Sequence, residues 1–428
     1  MHQATRPVWR GRVETVSGVL VEAEGVPAAM GELCRIERGR LEPVDAEVVG
    51  FRGSSTLLMP HGDLDGIGPK LSVTALRRPF AMKVGEELLG RVLDGFGQPI
   101  DGGERFSHAL EQRRVRNDAP PPLSRTPITE PLQTGVRAID AACTLGRGQR
   151  LGIFSGSGVG KSTLLGQITR GTDADAIVVG LVGERGREVR AFLDDVLGER
   201  GRRRSVTVVA TSDRPPIERY LAPFVAVTAA EYFRDQGQDV LLVLDSVTRF
   251  AAASREIGLA AGEPPTVRGF PPSFFATVPK LIERMGRSDR GSITGLLTIL
   301  LDADDPNDPV ADTLRGLLDG HVLLSRELAH RGHYPAIDLL ASLSRLMPSV
   351  VAPRQLELAQ ELRSVLATWR ESRDLVEIGA YKAGANRELD RVLRLLPDVE
   401  ALLRQGVSET TPSAETVARL QTLLERGV

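Results

Sequence analysis

Ser155-Gly156-Ser157-Gly158-Val159-Gly160-Lys161-Ser162 sets three glycines, a lysine and a hydroxyl between an apolar run, 151–154, and a helix-capable run, 162–170. Glycines at this spacing let backbone N–H groups converge on phosphate oxygens. Lys161 can reach the β- and γ-phosphates, and the Ser162 hydroxyl can ligate Mg²⁺ at the positive end of the helix. The strict pattern G-x-x-x-x-G-K-[ST] wants glycine at 155, where serine stands. Strand before and helix after separate the stretch from a chance flexible turn and point to a nucleoside triphosphate.

Two carboxylates extend the chemistry from binding to hydrolysis. The apolar run 240–244 ends in Asp245-Ser246, and an acid at such a strand end can hold the Mg²⁺ shell opposite Ser162. A second apolar run, 176–182, ends in Gly183-Glu184-Arg185-Gly186-Arg187-Glu188. A carboxylate there can orient and activate the water that attacks the γ-phosphate, which a phosphate loop cannot do. Each segment alone reads as an ordinary polar turn. Their shared place at strand ends in the loop's own sheet joins them into a set.

The elements that must position these residues follow from periodicity. Apolar runs at 150–154, 176–182, 205–211, 240–244, 293–301 and 321–324 alternate with helical stretches. Near-continuous apolar strands imply a parallel sheet covered on both faces, an α/β doubly wound fold with the loop at a strand's carboxyl end. Before it, short runs at 11–16, 19–23, 32–36, 46–51, 55–59 and 71–74, broken by Gly and Pro, suggest a small β-barrel or sandwich. Residues 87–100 end in turn residues, and Ala119-Pro120-Pro121-Pro122 is a stiff connector. After about 351 the pattern is helical, with Leu356, Ala359, Leu362, Leu366 and Trp369 on one face and Leu389, Leu393, Leu396, Leu402 and Leu403 repeating it. The expected domains are a barrel at 1–76, a nucleotide-binding core at 77–350 with a lead-in and connector over 77–130, and a helical domain at 351–428.

Bulk composition excludes several classes. The chain has 428 residues, 41% apolar and 26% charged, with a formal net charge of -2, so no polyelectrolyte signal supports nucleic-acid binding. Two cysteines far apart, Cys34 and Cys143, fit small core residues in a reducing cytosol. The N-terminus carries Arg6, Arg10 and Arg12 without the apolar stretch of a signal peptide, and no run reaches the ~20 apolar residues of a membrane span. A cytoplasmic protein, peripheral on a membrane through partners, is expected. The arginines at 200–204 read as a solvated loop.

Six motifs occur in one order: 155–162, Val-Gly-Glu-Arg-Gly-Arg-Glu (182–188), Leu-Asp-Ser-Val-Thr-Arg-Phe (244–250), Gly-Glu-Pro-Pro-Thr-Val-Arg-Gly-Phe-Pro-Pro-Ser (262–273), Asp-Gly-His-Val-Leu-Leu-Ser-Arg (319–326), and Gly-His-Tyr-Pro-Ala-Ile-Asp (332–338) with Ser-Leu-Ser-Arg (342–345). Over almost the whole chain they resemble the export ATPases of type III secretion systems, flagellar and injectisome, which are similar to the β subunit of F-type ATPases. These export ATPases commonly replace the first loop glycine by a small residue, which accounts for Ser155.

The resemblance implies a RecA-like P-loop NTPase core with an N-terminal β-barrel and a C-terminal helical domain. It implies ATP held by Gly156, Ser157, Gly158, Val159, Gly160, Lys161, Ser162 and Thr163, with Tyr334 on the adenine. Mg²⁺ would be held by Ser162 and, through water, by Asp245 and Glu188. Glu184 would be the catalytic carboxylate, Arg185 and Glu188 would support the γ-phosphate and metal environment, and Arg345 would be an arginine finger reaching a neighbour's nucleotide. Implied partners are a homohexamer, a central-stalk-like export protein facing the segment from Gly262 to Pro272, a stator-like regulator, an export gate and chaperone–substrate complexes, and no nucleic acid. The implied location is cytoplasmic, at the inner membrane through the apparatus, most naturally the flagellar one, with the injectisome as alternative.

Flagellar members usually carry a longer amphipathic N-terminal segment for the regulator, whereas about ten residues precede the first strand here. The regulator then binds differently, or the chain is trimmed or of another branch. Three other readings share the nucleotide core. One is a rotary ATP synthase catalytic subunit, disfavoured by 262–272 and 319–326; another is a hexameric RNA translocase, for which 4% aromatic residues offer little stacking. The third is a non-catalytic ring subunit, against which Glu184 argues.

Overall fold

The computed structural model describes residues 10–301 and 308–426. Residues 1–9, with Arg6 of the basic N-terminus, and residues 302–307 and 427–428 lie outside it.

Strands Arg10–Ser17, Leu20–Glu24, Glu32–Arg38, Leu41–Arg52, Ser55–Pro60 and Ser72–Pro79 form a closed barrel in which the first pairs with both the second and the last. Alternation turns Val13, Val21, Cys34, Ile36, Val48 and Leu58 into its interior. Closure leaves no sheet edge to pair with other chains.

The second sheet has the spatial order Leu343–Ser344, Gly320–Leu324, Arg150–Ser155, Ser292–Leu300, Asp239–Asp245, Ala176–Val182, Ser205–Ala210, Val92–Asp94. All pairs on this path are parallel except the antiparallel edge Leu343–Ser344. Successive side chains feed opposite faces: Ile177, Val179 and Leu181 join one core and Ala176, Val178 and Val182 the other. The first core is capped by the helix after the loop, Lys161–Gly171, and by the C-terminal helices; the second by helices Pro216–Asp235 and Val247–Ala260. Burial on both faces is why these strands read as unbroken apolar runs.

The six core strands and six barrel strands lie where the apolar runs place them, and both cysteines are buried and unpaired. Other expectations are corrected. Residues 92–94, read as part of a segment ending in a turn, add a strand at the sheet's edge. On helix Pro353–Glu377 the fully buried positions are Leu358, Ala359, Leu362 and Val365, with Leu356, Leu366 and Trp369 only half-buried. On Arg387–Leu403, Val392, Leu395 and Val399 are buried where Leu393 and Leu396 are not. Arg204 is not a solvated cation: its guanidinium donates to the carbonyls of Ala174 (3.1 Å), Thr169 (3.0 Å) and Thr172 (3.1 Å). Among the described residues no helix is long and apolar enough to cross a membrane.

Candidate active site

Strand register brings the carboxylates to the loop. Ser155 pairs with Leu300 and Ile153 with Thr298, while Leu181 pairs with Asp245. Asp245 therefore lies near the level at which the loop begins, and Glu184 three residues beyond it. Gly183 makes the turn between them at φ 71°, and a Cβ there would meet Arg249 Cβ at 2.8 Å.

The loop ends at Gly160, φ 93°, a left-handed conformation that caps the helix and that a larger residue would adopt only with strain. Gly156 and Val159 are buried, Ser157, Gly158 and Ser162 exposed, Thr163 half-buried. Lys161 is the first helical residue; its ammonium bonds the Asp245 carboxylate and stands 3.7 Å from Glu184 Oε1. Asp245 is buried and also accepts from Thr298 Oγ1 (2.8 Å). Ser162, Glu184, Glu188 and Asp245 line a cavity of about 130 Å³ together with apolar residues that include Leu181 and Phe192.

Burial pushes the Glu184 carboxyl up to about 7, helped by its hydrogen bond with Glu188 and the charge of Asp245; Lys161 and Arg249 oppose this with less effect. The same hydrogen bond holds Glu188, which is exposed, below its ordinary value. The pair thus splits its affinities, with Glu184 the more basic of the two carboxylates. Arg185 is exposed, with its guanidinium 3.9 Å from Glu188.

Tyr334 stands on the other side of the loop, its ring atoms 3.5 Å from where a Cβ on Gly160 would sit, and is 44% exposed. Arg345 is not brought to this place. It follows the edge strand, whose Ser344 pairs with Gly320, and its N–H donates to Asp319 O (2.9 Å). Ser155, where the loop departs, is level with Leu324. Five residues of strand rise put Arg345 ~16 Å along the sheet from the loop, at its opposite end, exposed to solvent.

The residues fit Mg²⁺ and a triphosphate. One ammonium faces two carboxyl groups, the Ser155 hydroxyl is buried without a hydrogen-bond partner, and Ser162 and Asp245 line one cavity. Among the described residues no group of three or more His, Cys, Asp or Glu is arranged to hold a metal alone. A larger cavity, about 390 Å³ between the core and the C-terminal helices, is lined by the ion pairs Arg370 with Asp338 and Arg373 with Glu327.

Residues 135–344 match the nucleotide-binding domain of the ATP synthase alpha/beta family, 13–77 its beta-barrel domain, and 351–422 the T3SS EscN ATPase C-terminal domain. A flagellum-specific ATP synthase of Pseudomonas aeruginosa is 49% identical over 99% of this chain and 94% of its own length. The SPI-2 type 3 secretion system ATPase of Salmonella typhimurium is 49% identical over 97% and 94%. The chain belongs to the export ATPase family of flagella and type III secretion systems. Assembled EscN in complex with its central stalk EscO, from the type III secretion system of enteropathogenic E. coli, is 41% identical, covers 97% of this chain and 100% of that one, and superposes with a TM-score of 0.90. The RecA-like core, barrel and C-terminal helices expected of an export ATPase are present, and the enzyme hydrolyses ATP.

Three residues near the export ATPase's loop escaped the sequence. Arg249, one helical turn after Asp245, pulls the Glu184 and Glu188 values down; it sits inside a recognised motif, which was the available signal. Thr298 bonds Asp245 from within an apolar strand, and Gln405 bonds the Tyr334 main chain from the C-terminal domain. Neither has a local sequence signal.

Proposed function

We propose that the chain is a homohexameric Mg²⁺-ATPase of flagellar protein export, with a neighbour's Arg345 completing each site. The convergence of Lys161, Glu184 and Asp245 on the loop carries the reading. The loop N–H groups and Lys161 hold the phosphates, Ser162 and Asp245 hold the cation with Glu188 acting through water, and Tyr334 stacks on adenine. Mg²⁺, when bound, supplies positive charge that neutralises the phosphates. Glu184, poised near neutrality, orients the attacking water and takes its proton, and Arg185 supports the γ-phosphate environment. Arg345 neutralises charge developing on the neighbour's γ-phosphate; its exposure at the far end of its own sheet supports action between subunits.

Glu184→Gln is expected to keep nucleotide binding while kcat falls by about 10²–10⁴; normal turnover in the pure variant would overturn the assignment. Glu184→Gln and Arg345→Ala proteins, each inactive alone, should regain a fraction of activity when mixed, because some interfaces then carry an intact Glu184 and an intact Arg345. Mixtures that stay inactive would place Arg345 in its own subunit's site.

The segment 262–272 is the contact proposed for a central stalk, as the EscN–EscO complex suggests by similarity. Thr266 Oγ1 donates to Phe270 O (2.6 Å) and Ser273 N to Glu263 Oε2 (3.1 Å), while Val267 is 60% exposed at its tip. A held base with an apolar tip suits docking. A stator-like regulator, the export gate and chaperone–substrate complexes complete the proposed partners, at the cytoplasmic face of the inner membrane. Deletion in the native host should abolish swimming; loss of effector secretion with swimming intact would assign the chain to an injectisome.

A further inference from the structure

We propose that Gln405 is a positioning residue for Tyr334 and so a determinant of how selectively the nucleotide base is held. The inference rests on the reading of Tyr334 as the base-stacking residue. Gln405 lies in the C-terminal domain, in the link between helices Arg387–Leu403 and Ser413–Glu425, and is 5% exposed. Its main-chain N–H donates to the Tyr334 carbonyl (2.8 Å). Its side chain is fully engaged: Oε1 accepts from Arg137 N (2.9 Å), and Nε2 donates to Gly135 O (2.7 Å) and Glu409 O (2.8 Å). Arg137, itself buried, donates to Leu402 O (2.6 Å) and Thr411 Oγ1 (3.1 Å) on either side of the link.

The same link is bonded to the phosphate side of the site. Gln167 Nε2, on the helix that follows the loop, donates to Gly406 O (2.8 Å), and Arg170 to Val407 O (2.6 Å). One segment of the C-terminal domain therefore holds both the turn that carries Tyr334 and the helix that carries Lys161. Tyr334 is nearly half exposed, so where its ring meets the loop depends on where its main chain is held. The Gln405 side chain sets where the Tyr334 main chain sits relative to Gly160. Truncating it removes three bonds that fix the link but leaves the N–H, which releases Tyr334 without touching the phosphate-binding atoms.

The test measures KM and kcat for ATP and CTP with the assembled enzyme in Gln405→Ala, Tyr334→Ala and the double variant. Tyr334→Ala should raise the ATP KM about tenfold or more, as loss of base stacking does, and the CTP KM less. Gln405→Ala should raise the ATP KM about fivefold with kcat within about twofold, narrow the difference between ATP and CTP, and add nothing in the Tyr334→Ala background. A role in domain stability alone would raise both KM values equally or act additively, and either result overturns the proposal, as does an unchanged KM. If Tyr334→Ala leaves both KM values unchanged, the stacking reading falls first, and this inference with it. Should Gln405→Ala fail to fold, Gln405→Asn keeps the amide one methylene short and should narrow the ATP–CTP difference in the same direction; no narrowing overturns the proposal.

Discussion

Two low-exposure charge clusters in the core are built on opposite plans. In one, Arg284 and Glu231 are 1% and 2% exposed and form a two-point pair, Nε to Oε1 at 2.8 Å and Nη2 to Oε2 at 2.7 Å; Arg284 also donates to Thr228 Oγ1 (2.9 Å) and Val115 O (2.7 Å). Charges balance and each guanidinium nitrogen has a partner. In the other, the Lys161 ammonium lies between Asp245 and Glu184, with Arg249 acting only by its charge, and one carboxyl is pushed to about 7. Burial costs a charge dearly unless it is paired. The first cluster meets that requirement from within the chain, while the second is arranged for a ligand that brings its own charge.

Breaking the first cluster should cost fold, not chemistry. Arg284→Met strands the buried Glu231 carboxylate and is expected to destabilise by about 3–5 kcal/mol in denaturant unfolding, whereas Arg284→Met with Glu231→Leu should recover most of that loss. Failure of the double variant to recover would show that the pair does more than satisfy itself.

The second cluster should behave inversely. Glu184→Gln removes a half-buried acid beside Asp245, so its unfolding midpoint at neutral pH should be unchanged or raised while turnover is lost. A large fall in stability would mean that Glu184 is held as structurally as Glu231.

The smallest effect concerns a paired cluster nearer the surface. Asp101 accepts two bonds from Arg91, at 2.7 and 2.8 Å, and others from Val92 N and Gly103 N. The Arg91 guanidinium holds its carboxyl well below the usual range. A depressed folded value means that its stabilisation is present above the unfolded pKa, about 3.9, and is lost as pH falls through the lower folded one. Wild type should therefore melt above Asp101→Asn at pH 7, with the gap closing as pH drops below about 4. A gap independent of pH would assign the effect to shape rather than charge.

Much of this was legible in the residues. Strands buried on both faces must be apolar throughout, so the six core strands show as runs, and the loop 155–162 shows because a phosphate cradle needs glycine and a cation in consecutive positions. Asp245 and Glu184 were legible as strand-end acids. The rotated leucine stripe of the C-terminal helices and the edge strand 92–94 were not, because each depends on what packs beside it.

Residue types and local spacing thus single out the loop and the strand-end acids as candidates for binding and hydrolysing a triphosphate, since backbone conformation at a loop or strand end is a short-range property. Which groups meet was decided by strand order and domain docking. Parallel register set Thr298 beside Asp245, the antiparallel edge set Arg345 against Asp319 at the far end of the sheet, and the C-terminal link set Gln405 against Tyr334, pairings across 53, 26 and 71 positions of chain that no local pattern encodes.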